Sequence, residues 1–344
     1  MIRIKFNESY DIQIAQRSDV NAIMLFYGKN WASGHILAND VDFLLFEHLE
    51  DERFNFVIAK DKISREIAGA IGFTDYGSLN GLRHITSTML AVSPKCKTPL
   101  LGIHLIRELK SLTKASSYCG VTTNPVTLAP YVKRYLHHQV ESFDHFYILN
   151  SDLTQYKIIN GKACGRDVKY KEPAITLKEI YHYDSILGMK CIGNKQKNLP
   201  YKSLSYLNRR YFSHPIFKYR FFKVSRHVDE GEAFIVAKVE TVSEGSIFRI
   251  IDFIGPLEMM NDISYALHDL VRLEGHEYAD LFCSNASSFL NGENCFCDKT
   301  KTKCIVPHYF YPYYRENVQV LYETDDPNLV YFKGDGDGDR PNYR

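Results

Sequence analysis

The sequence predicts an α+β protein made of two similar domains in tandem, each a mixed, mostly antiparallel sheet flanked by helices. Three observations lead to this prediction. Segments with strand periodicity alternate with amphipathic helical segments; the order of elements in the first half of the chain returns in the second half; and 344 residues give room for about two domains. We therefore expect one domain at 1–150 and a second at 199–344, joined by a linker at 151–198 where the periodicity weakens.

The first domain opens with an alternating segment, residues 1–16, that is typical of an edge strand. Arg17-Ser18-Asp19 begins an amphipathic helix, and a loop at 31–40 separates it from a second helix over 43–48. The remaining strands of this domain are predicted at 54–60, 67–75, 85–92, 119–124 and 146–150.

The second domain begins with a helix over 204–219 that Pro215 interrupts. Strands at 232–241 and 246–254 form a hairpin, and a helix at 257–274 and a strand at 278–283 follow. The linker contributes a short strand at 174–180. In the tail, we expect the acids of Asp335, Asp337 and Asp339 to dock on basic residues of the body.

Composition limits the possible partners. The chain is 45% hydrophobic and 24% charged, which fits ordinary globular cores. A net charge of +1 gives no overall field that would attract nucleic acid or an anionic membrane. No run approaches the roughly 18 apolar residues of a membrane span, and the amino terminus lacks the apolar stretch of a signal peptide. We expect a cytoplasmic protein with no nucleic-acid partner and no membrane insertion; the oligomeric state is left open.

Two clusters suggest metal sites but lack the required pattern. Cys295, Cys297, Cys304 and His308 include a Cys-x-Cys rather than the usual Cys-x2-Cys spacing of zinc sites. The Asp-Gly-Asp-Gly-Asp run of the tail resembles the start of a calcium loop but has no later glutamate. We expect no metal.

The segment Ile85–Ile106 predicts a strand, a tight loop and the first turns of a helix. Its β-rich run stops at Pro94, and apolar residues return at helical spacing from Ile103, so a helix begins near Leu100. The unpaired N–H groups and the dipole of that helix end attract anions. Gly102 allows close approach of a phosphate, and Lys95 and Lys97 add positive charge.

These residues resemble the GNAT superfamily of N-acetyltransferases, whose pattern here is P-x-x-R/Q-x-x-G-x-G/A. Pro94, Lys97, Leu100 and Gly102 lie on its proline, basic and two glycine positions. Leu100 departs from glycine, and Pro99 removes one amide donor. The resemblance implies that acyl-CoA is the co-substrate. It also implies that the cofactor is held by Leu90, Ala91, Val92, Lys97, Thr98, Leu100, Leu101, Gly102, Ile103 and Asn124.

A second stretch supports the resemblance. Asn124, Tyr131 and Lys133 have the spacing of the family pattern N-x-x-A-x-x-x-Y-x-K, with Thr127 in place of the alanine. In such folds the tyrosine lies near the CoA sulfur, where a phenol can protonate the leaving thiolate. Tyr131 is therefore a candidate catalytic residue.

The attacking amine must lose a proton, and four side chains are candidates to accept it or to assist. His35 lies in the loop that borders the acceptor site in GNAT folds, and His84 heads the cofactor strand. Asp40 and Glu47 would instead orient a histidine or bind the acceptor. Backbone N–H groups at 90–92 are the expected donors to the oxyanion.

A second resemblance is carried by Trp31 with His35-Ile36-Leu37, by Arg210-Tyr211-x-x-His214-Pro215, by Arg249-x-x-Asp252-x-x-Gly255, by Glu277-Tyr278-x-Asp280 and by the tail from Lys333 to Asn342. Together these motifs resemble two-domain N-acyltransferases that modify nucleotide-linked amino sugars in bacterial surface-polysaccharide pathways. This resemblance implies that the acceptor is bound by Trp31, Asp40, Glu47, Arg210, Tyr211 and His214. Glu258 puts an acid in the loop of the second domain where a phosphate would bind, so we expect no CoA there. Two alternatives stay open: an aminoacyl transferase of the peptidoglycan-bridge type, and a binding protein without catalysis.

Overall fold

The computed structural model describes residues 6–160, 172–227, 231–242, 245–336 and 338–342. The first five residues of the predicted edge strand, eleven residues of the predicted linker, the hairpin turn at Ser243 and Glu244, and Asp337 lie outside the described residues.

The first sheet has the strand order β1-β3-β4-β5-β6-β15-β7, with β2 paired to β3. Pairing is antiparallel for β1/β3, β3/β4, β4/β5 and β6/β15, and parallel for β5/β6. Its strands are β1 Tyr10–Gln16, β2 Leu49–Glu50, β3 Arg53–Asp61, β4 Ile67–Leu79, β5 Leu82–Val92, β6 Ser117–Val121, β7 Gln139–Ser142 and β15 Leu321–Thr324. The helices of this half are α1 Phe6–Ser9, α2 Val20–Asn30, α3 Ile36–Asn39, α4 Val41–His48, α5 Leu101–Thr113 and α6 Ala129–Leu136.

The second sheet has the strand order β14-β8-β13-β12-β11-β10-β9. Here β12/β13 is parallel, and the other pairs are antiparallel. Its strands are β8 Asp144–Leu149, β9 Ile175–Ile180, β10 Arg220–Arg226, β11 Glu232–Val242, β12 Gly245–Ile254, β13 Tyr278–Cys283 and β14 Cys297–Asp298. The helices are α7 Leu204–Leu207, continued by a π-helical turn at Asn208–Phe212, and α8 Met259–Glu274.

Alternation along the strands of the first sheet builds a core on each face. Phe54, Phe56 and Ile58 of β3 pack against helices α2 to α4, while Val57 and Ala59 point to the opposite face and pack with α5. Both sheets are mixed and mostly antiparallel, which confirms the predicted α+β class. Among the residues that the structure describes, no helix has the length and hydropathy of a membrane span.

The chain divides into two compact units whose bounds differ from the predicted domains. The first unit comprises the described residues of Met1–Glu141, Leu321–Pro327 and Arg340–Arg344, and the second those of Ser142–Val320 and Asn328–Asp339. Strand β8, predicted to close the first domain, pairs with β13 in the second sheet. Strand β9, from the predicted linker, pairs with β10. Each sheet thus contains one strand from the other half of the sequence. In the first sheet β15 pairs with the second edge of β6, and in the second sheet β8 pairs with the second edge of β13, so neither edge is left open.

Candidate functional site

Strands β5 and β6 separate at their carboxyl ends. They pair only from His84 with Ser117 to Ser87 with Gly120. Beyond Ser87, β5 continues to Val92 along β4, whereas β6 ends at Val121. In the described part of the chain no pairing joins 88–92 to β6, so a gap opens between two neighbouring strands at the edge where α/β folds bind ligands.

A β-bulge shapes one wall of this gap. The register between β4 and β5 shifts between Ala70 and Gly72, and Met89 has a φ of +53°. The buried Tyr27 hydroxyl donates a hydrogen bond of 2.6 Å to the Met89 carbonyl oxygen, which fixes the bulge. Because the peptide is planar and trans, the Leu90 N–H points in the opposite direction, away from Tyr27.

Helix α5 starts beside this wall with an uncapped amino end. No side chain caps the helix, and the first intrahelical bond runs from His104 N–H to the Leu100 carbonyl. The N–H groups of Leu101, Gly102 and Ile103 therefore have no intrahelical acceptor and form a positive helix end. A Cβ built on Gly102 would lie 3.5 Å from Val92 and 3.6 Å from Leu90, so this helix end packs directly on β5.

In the loop before α5, Leu100 occupies a position whose backbone conformation favours glycine. Leu100 adopts the left-handed conformation with a φ of +62°, at a cost of about 1 kcal/mol for a residue with a Cβ. Thr98 Oγ1 lies 2.7 Å from the hydroxyl of Tyr10, so Thr98 anchors the loop to β1. Lys95 and Lys97 are exposed on the loop.

Asn124 and Tyr131 follow β6, the opposite wall of the gap, along the chain. The Asn124 side-chain oxygen accepts hydrogen bonds from the N–H groups of Val126 and Thr127, at 2.9 and 2.8 Å, and so organises the turn before α6. Tyr131, in the first turn of α6, is 44% exposed. Its ring stacks on Tyr135 at 6.3 Å between centroids.

On the other face of the sheet, His35 and Asp40 cap helices. His35 Nδ1 accepts a hydrogen bond of 3.2 Å from Leu37 N–H at the start of α3, and the Asp40 carboxylate accepts one of 3.0 Å from Phe43 N–H at the start of α4. A neutral imidazole that accepts at Nδ1 carries its proton on Nε2. The role of His35 in proton transfer stays a prediction. The ring of Trp31, 43% exposed, lies 4.7 Å from the His35 ring.

Arg340 lies in this region, although no sequence motif predicts it here. Its guanidinium donates to Thr88 Oγ1 at 2.9 Å and to Glu47 Oε2 at 3.3 Å, and the Arg340 and Glu47 side chains are 3% and 6% exposed. The carbonyl of Asn342 accepts from Ile36 N–H at 2.9 Å. Residues 340–342 thus lie against α3 and the start of the gap, and the predicted acceptor ligand Glu47 is held in a buried ion pair.

His84 lies in the paired part of β5 and β6, where its Nδ1 is 2.6 Å from Ser117 Oγ. Thr88, where the two strands begin to separate, is four positions further along β5, or about 13 Å. The role of His84 as a base stays a prediction.

The remaining predicted acceptor residues belong to the second unit. Arg210 is buried and donates to the backbone carbonyl of Asp339. The Tyr211 hydroxyl donates to Asp252 at 2.7 Å, and burial raises the pKa of Tyr211 well above its ordinary value. His214 Nδ1 accepts from the N–H of Phe217 at 2.8 Å. All three lie in the polar interior of that unit.

The second unit repeats the separation of strands but fills the gap. Strands β12 and β13 pair from Phe248 to Ile250, and a register shift then makes a bulge at Ile251. Gly334 N–H donates to the Ile251 carbonyl at 2.7 Å, and Phe332 bridges to Cys283. We call residues 330–335 the plug segment. The predicted docking of tail acids on basic residues is confirmed, since Asp335 contacts Lys202 at 2.8 Å and Asp339 contacts Lys238 at 2.7 Å.

Two further expectations concern ions in the second unit. Glu258 is the N-cap residue of α8, and its exposed side chain makes no capping hydrogen bond. The described residues include no group of three or more His, Cys, Asp or Glu side chains arranged to hold a metal.

Solved structures match this fold, although no family profile and no curated protein match the sequence. A GCN5-related N-acetyltransferase from Anabaena variabilis aligns with a TM-score of 0.55 and 11% identity, over 92% of this chain and 72% of its own. One from Kribbella flavida gives 0.48 and 12%, over 92% and 71%. Eis1 from Mycobacterium abscessus gives 0.47 and 13%, over 78% and 65%. The Anabaena match shows that the chain has the GNAT fold, and the predicted tandem arrangement is confirmed.

Proposed function

We propose that the first unit transfers an acyl group from acyl-CoA to an amine by direct attack. One observation carries this proposal: the gap between β5 and β6 lies beside the uncapped amino end of α5. A slot for an extended thioester next to a site for a pyrophosphate is the arrangement that acyl-CoA requires. The open gap also favours an enzyme over a binding protein without catalysis.

The cofactor would be bound from both walls. Its pyrophosphate accepts from the N–H groups of Leu101, Gly102 and Ile103, with Lys97 adding charge. Its pantetheine arm runs along Leu90, Ala91 and Val92. The Leu90 N–H, turned away from Tyr27 by the bulge, donates to the carbonyl oxygen on which negative charge develops.

The reaction then requires that the amine lose one proton and that the departing thiolate receive one. The amine attacks in its neutral form, the C–N bond forms, and the C–S bond breaks. Tyr131, exposed at the opposite wall, donates its phenolic proton to the departing thiolate. His35 donates through Nε2 to the acceptor, in keeping with its engaged Nδ1.

For the acceptor we propose the amine of a nucleotide-linked amino-deoxy sugar used in surface-polysaccharide synthesis. The support is the exposed ring of Trp31 next to His35, since an aromatic face packs well on the apolar face of a pyranose. The Arg340–Glu47 pair lies on the same face of the sheet and would orient polar groups of the sugar. This assignment adds an acceptor to the proposed acyl transfer. The acyl transfer can hold even if the acceptor assignment is wrong.

The test has two stages. Calorimetry with acetyl-CoA should give a measurable Kd, and Gly102→Asp, which places a carboxylate at the α5 amino end, should weaken binding at least about tenfold. Gly28→Asp in α2 is the matched control, because no atom lies within 4 Å of its added Cβ, and it should bind as the wild type does. Equal affinity of Gly102→Asp and wild type would reject the cofactor site.

Mass spectrometry with a panel of acyl-CoAs and amino-sugar nucleotides would then identify the acyl group and the acceptor. Transfer to another class of amine, but to no sugar, would replace the acceptor assignment while leaving the acyl transfer intact.

A further inference from the structure

A buried chain of hydrogen bonds begins at the base of the gap in the first unit. Ser87 Oγ lies 2.6 Å from the Tyr118 hydroxyl, which donates to Glu323 Oε1 at 3.1 Å. The second oxygen of Glu323 lies 3.3 Å from His138 Nδ1. Four side chains from β5, β6, β15 and the segment after α6 are therefore linked in one line.

The chain is enclosed by protein. Ser87, Tyr118 and Glu323 are 7%, 1% and 0% exposed, and the His138 side chain is 7% exposed. A carboxylate without exposed surface is costly unless it is hydrogen-bonded. Glu323 meets that requirement through Tyr118 and His138.

Gly120 leaves the space through which the chain passes. A Cβ on Gly120 would lie 2.8 Å from Glu323 Oε1 and 3.1 Å from Ser87 Oγ. The first distance is closer than real Cβ contacts. Any other residue at this position would push Glu323 away, so the absence of a side chain here allows a residue of β15 to reach over β6 toward β5.

The two ends of the chain lie in different surroundings. Ser87 and Gly120 form the last paired position before β5 and β6 separate, which is where the thioester would lie. His138 and Tyr118 line a cavity of about 550 Å³ between α5 and α6. The line of hydrogen bonds thus connects the base of the gap with a cavity on the helical side.

We propose that this chain carries the proton of the attacking amine from Ser87 through Tyr118 to Glu323, and that His138 passes it on to the cavity. The proposal rests on the acyl transfer proposed above, for which it supplies a base.

The proton balance is simple. As the C–N bond forms, the amine nitrogen gives a proton to Ser87 Oγ, whose own proton moves to the Tyr118 oxygen. The Tyr118 proton moves to the Glu323 carboxylate, and Glu323 hands it to His138, which releases one to solvent in the cavity. One proton enters, one leaves, and the thiolate receives its proton separately.

Tyr118 suits the middle of such a relay. Burial and the neighbouring Glu323 raise the pKa of Tyr118 well above its ordinary value. It therefore stays protonated and can accept and donate at once. Among the described residues, other charged or titratable groups around the chain include Cys119 on β6, Asp325 after β15, Arg107 and Lys110 on α5, and Lys114 directly after α5.

Three variants interrupt the chain at different points: Ser87→Ala, Tyr118→Phe and Glu323→Gln. With acetyl-CoA and the panel amine that gives the highest turnover, each should lower kcat about 100-fold while calorimetry gives an unchanged Kd for acetyl-CoA. Tyr76→Phe is the control, because it removes an equally buried hydroxyl, bonded to Thr86 at 3.2 Å, from a neighbouring strand. It should keep the wild-type kcat.

A solvent isotope experiment separates proton transfer from a structural role. The wild type should show a lower kcat in D2O with a curved proton inventory, and Ser87→Ala, which leaves the Tyr118–Glu323 bond in place, should lose that curvature. If Ser87→Ala, Tyr118→Phe and Glu323→Gln all bind acetyl-CoA and match the wild-type kcat at every pH, the relay is rejected, while the proposed acyl transfer stands. A wild type that neither binds acetyl-CoA nor acylates an amine would overturn the proposed function and the relay together.

Discussion

The two units contain the same break in their sheets and use it differently. In each, a parallel strand pair ends early and the longer strand carries a bulge, at Met89 in the first unit and at Ile251 in the second. In the second unit the plug segment bonds to the bulge. In the first unit the corresponding edge is lined by an uncapped helix end. The comparison teaches that this sheet geometry does not by itself make a binding site, because in the second unit a segment of the same chain bonds to the bulge.

Buried charge holds the plug segment. Lys202 lies between Asp252 at 2.6 Å and Asp335 at 2.8 Å, and all three are almost fully buried. Burial alone would lower the pKa of Lys202, but the two carboxylates outweigh it and raise the pKa above its ordinary value. The lysine is therefore charged throughout the physiological range and ties the plug to β12.

The largest expected effect comes from removing the charge of Lys202. Lys202→Met leaves two buried carboxylates without a cation and should lower the free energy of unfolding by about 5 kcal/mol, measured by urea denaturation. Lys60→Met removes a partly exposed partner of Asp19, at 2.7 Å, and should cost less than about 1 kcal/mol. Similar losses in the two variants would mean that the plug is not held by buried charge.

The next effect concerns the first unit. Arg340→Ala leaves Glu47 buried without its partner and should lower the free energy of unfolding by about 3 kcal/mol, and it should raise KM for the acceptor more than KM for acetyl-CoA. Arg65→Ala, which removes an exposed partner of Asp11, is the control and should leave both unchanged. A larger change in the KM for acetyl-CoA would move Arg340 from the acceptor side to the cofactor side.

A third effect tests the opposite wall of the gap. Tyr131→Phe should lower kcat about tenfold by removing the proton donor to the thiolate, with an unchanged Kd for acetyl-CoA by calorimetry. Tyr135→Phe, on the next turn of α6 and stacked on Tyr131, is the matched control. Equal kcat values for the two variants would exclude Tyr131 as the donor.

A fourth effect is a pH dependence of stability that belongs to the second unit. Burial lowers the pKa of Lys333 to about 7, whereas an unfolded lysine keeps its proton to about 10.4. Between these values the unfolded chain binds more protons, so the free energy of unfolding should rise with pH from 7 to 10, by at most about 1.4 kcal/mol per unit. Lys333→Met should flatten this rise in urea titrations, and Lys301→Met, at an exposed site, should not.

Local pattern predicted the elements that carry the candidate cofactor site. The strand, loop and helix of Ile85–Ile106 form as expected, with α5 beginning at Leu101, because periodicity and the Pro94 break act over a few residues. The left-handed φ of Leu100 explains why the related pattern has glycine there. The departure from glycine is thus a cost in backbone conformation as well as a difference in sequence.

The pairing of strands that are far apart in the chain could not be predicted from the sequence. Periodicity identifies 146–150 as a strand but does not say which sheet it joins, and β8 joins the second. Arg340 meets Thr88 across 252 positions, and no local signal marks it. His35 and Asp40 are also helix caps, because they directly precede α3 and α4, a role that their spacing from the following helices could have suggested.

The exchange of β8 and β15 has a consequence for how the chain acquires its structure. Strand β6 pairs with Leu321–Thr324, and Leu321 follows the end of α6, the last helix of the first unit, by 185 residues. During synthesis one edge of β6 therefore stays unpaired until this segment has been made, and such edges promote association with other chains. Expression of residues 1–150 alone would yield a sheet lacking β15, Glu323 and Arg340, which should aggregate unless Leu321–Arg344 is supplied as a second polypeptide.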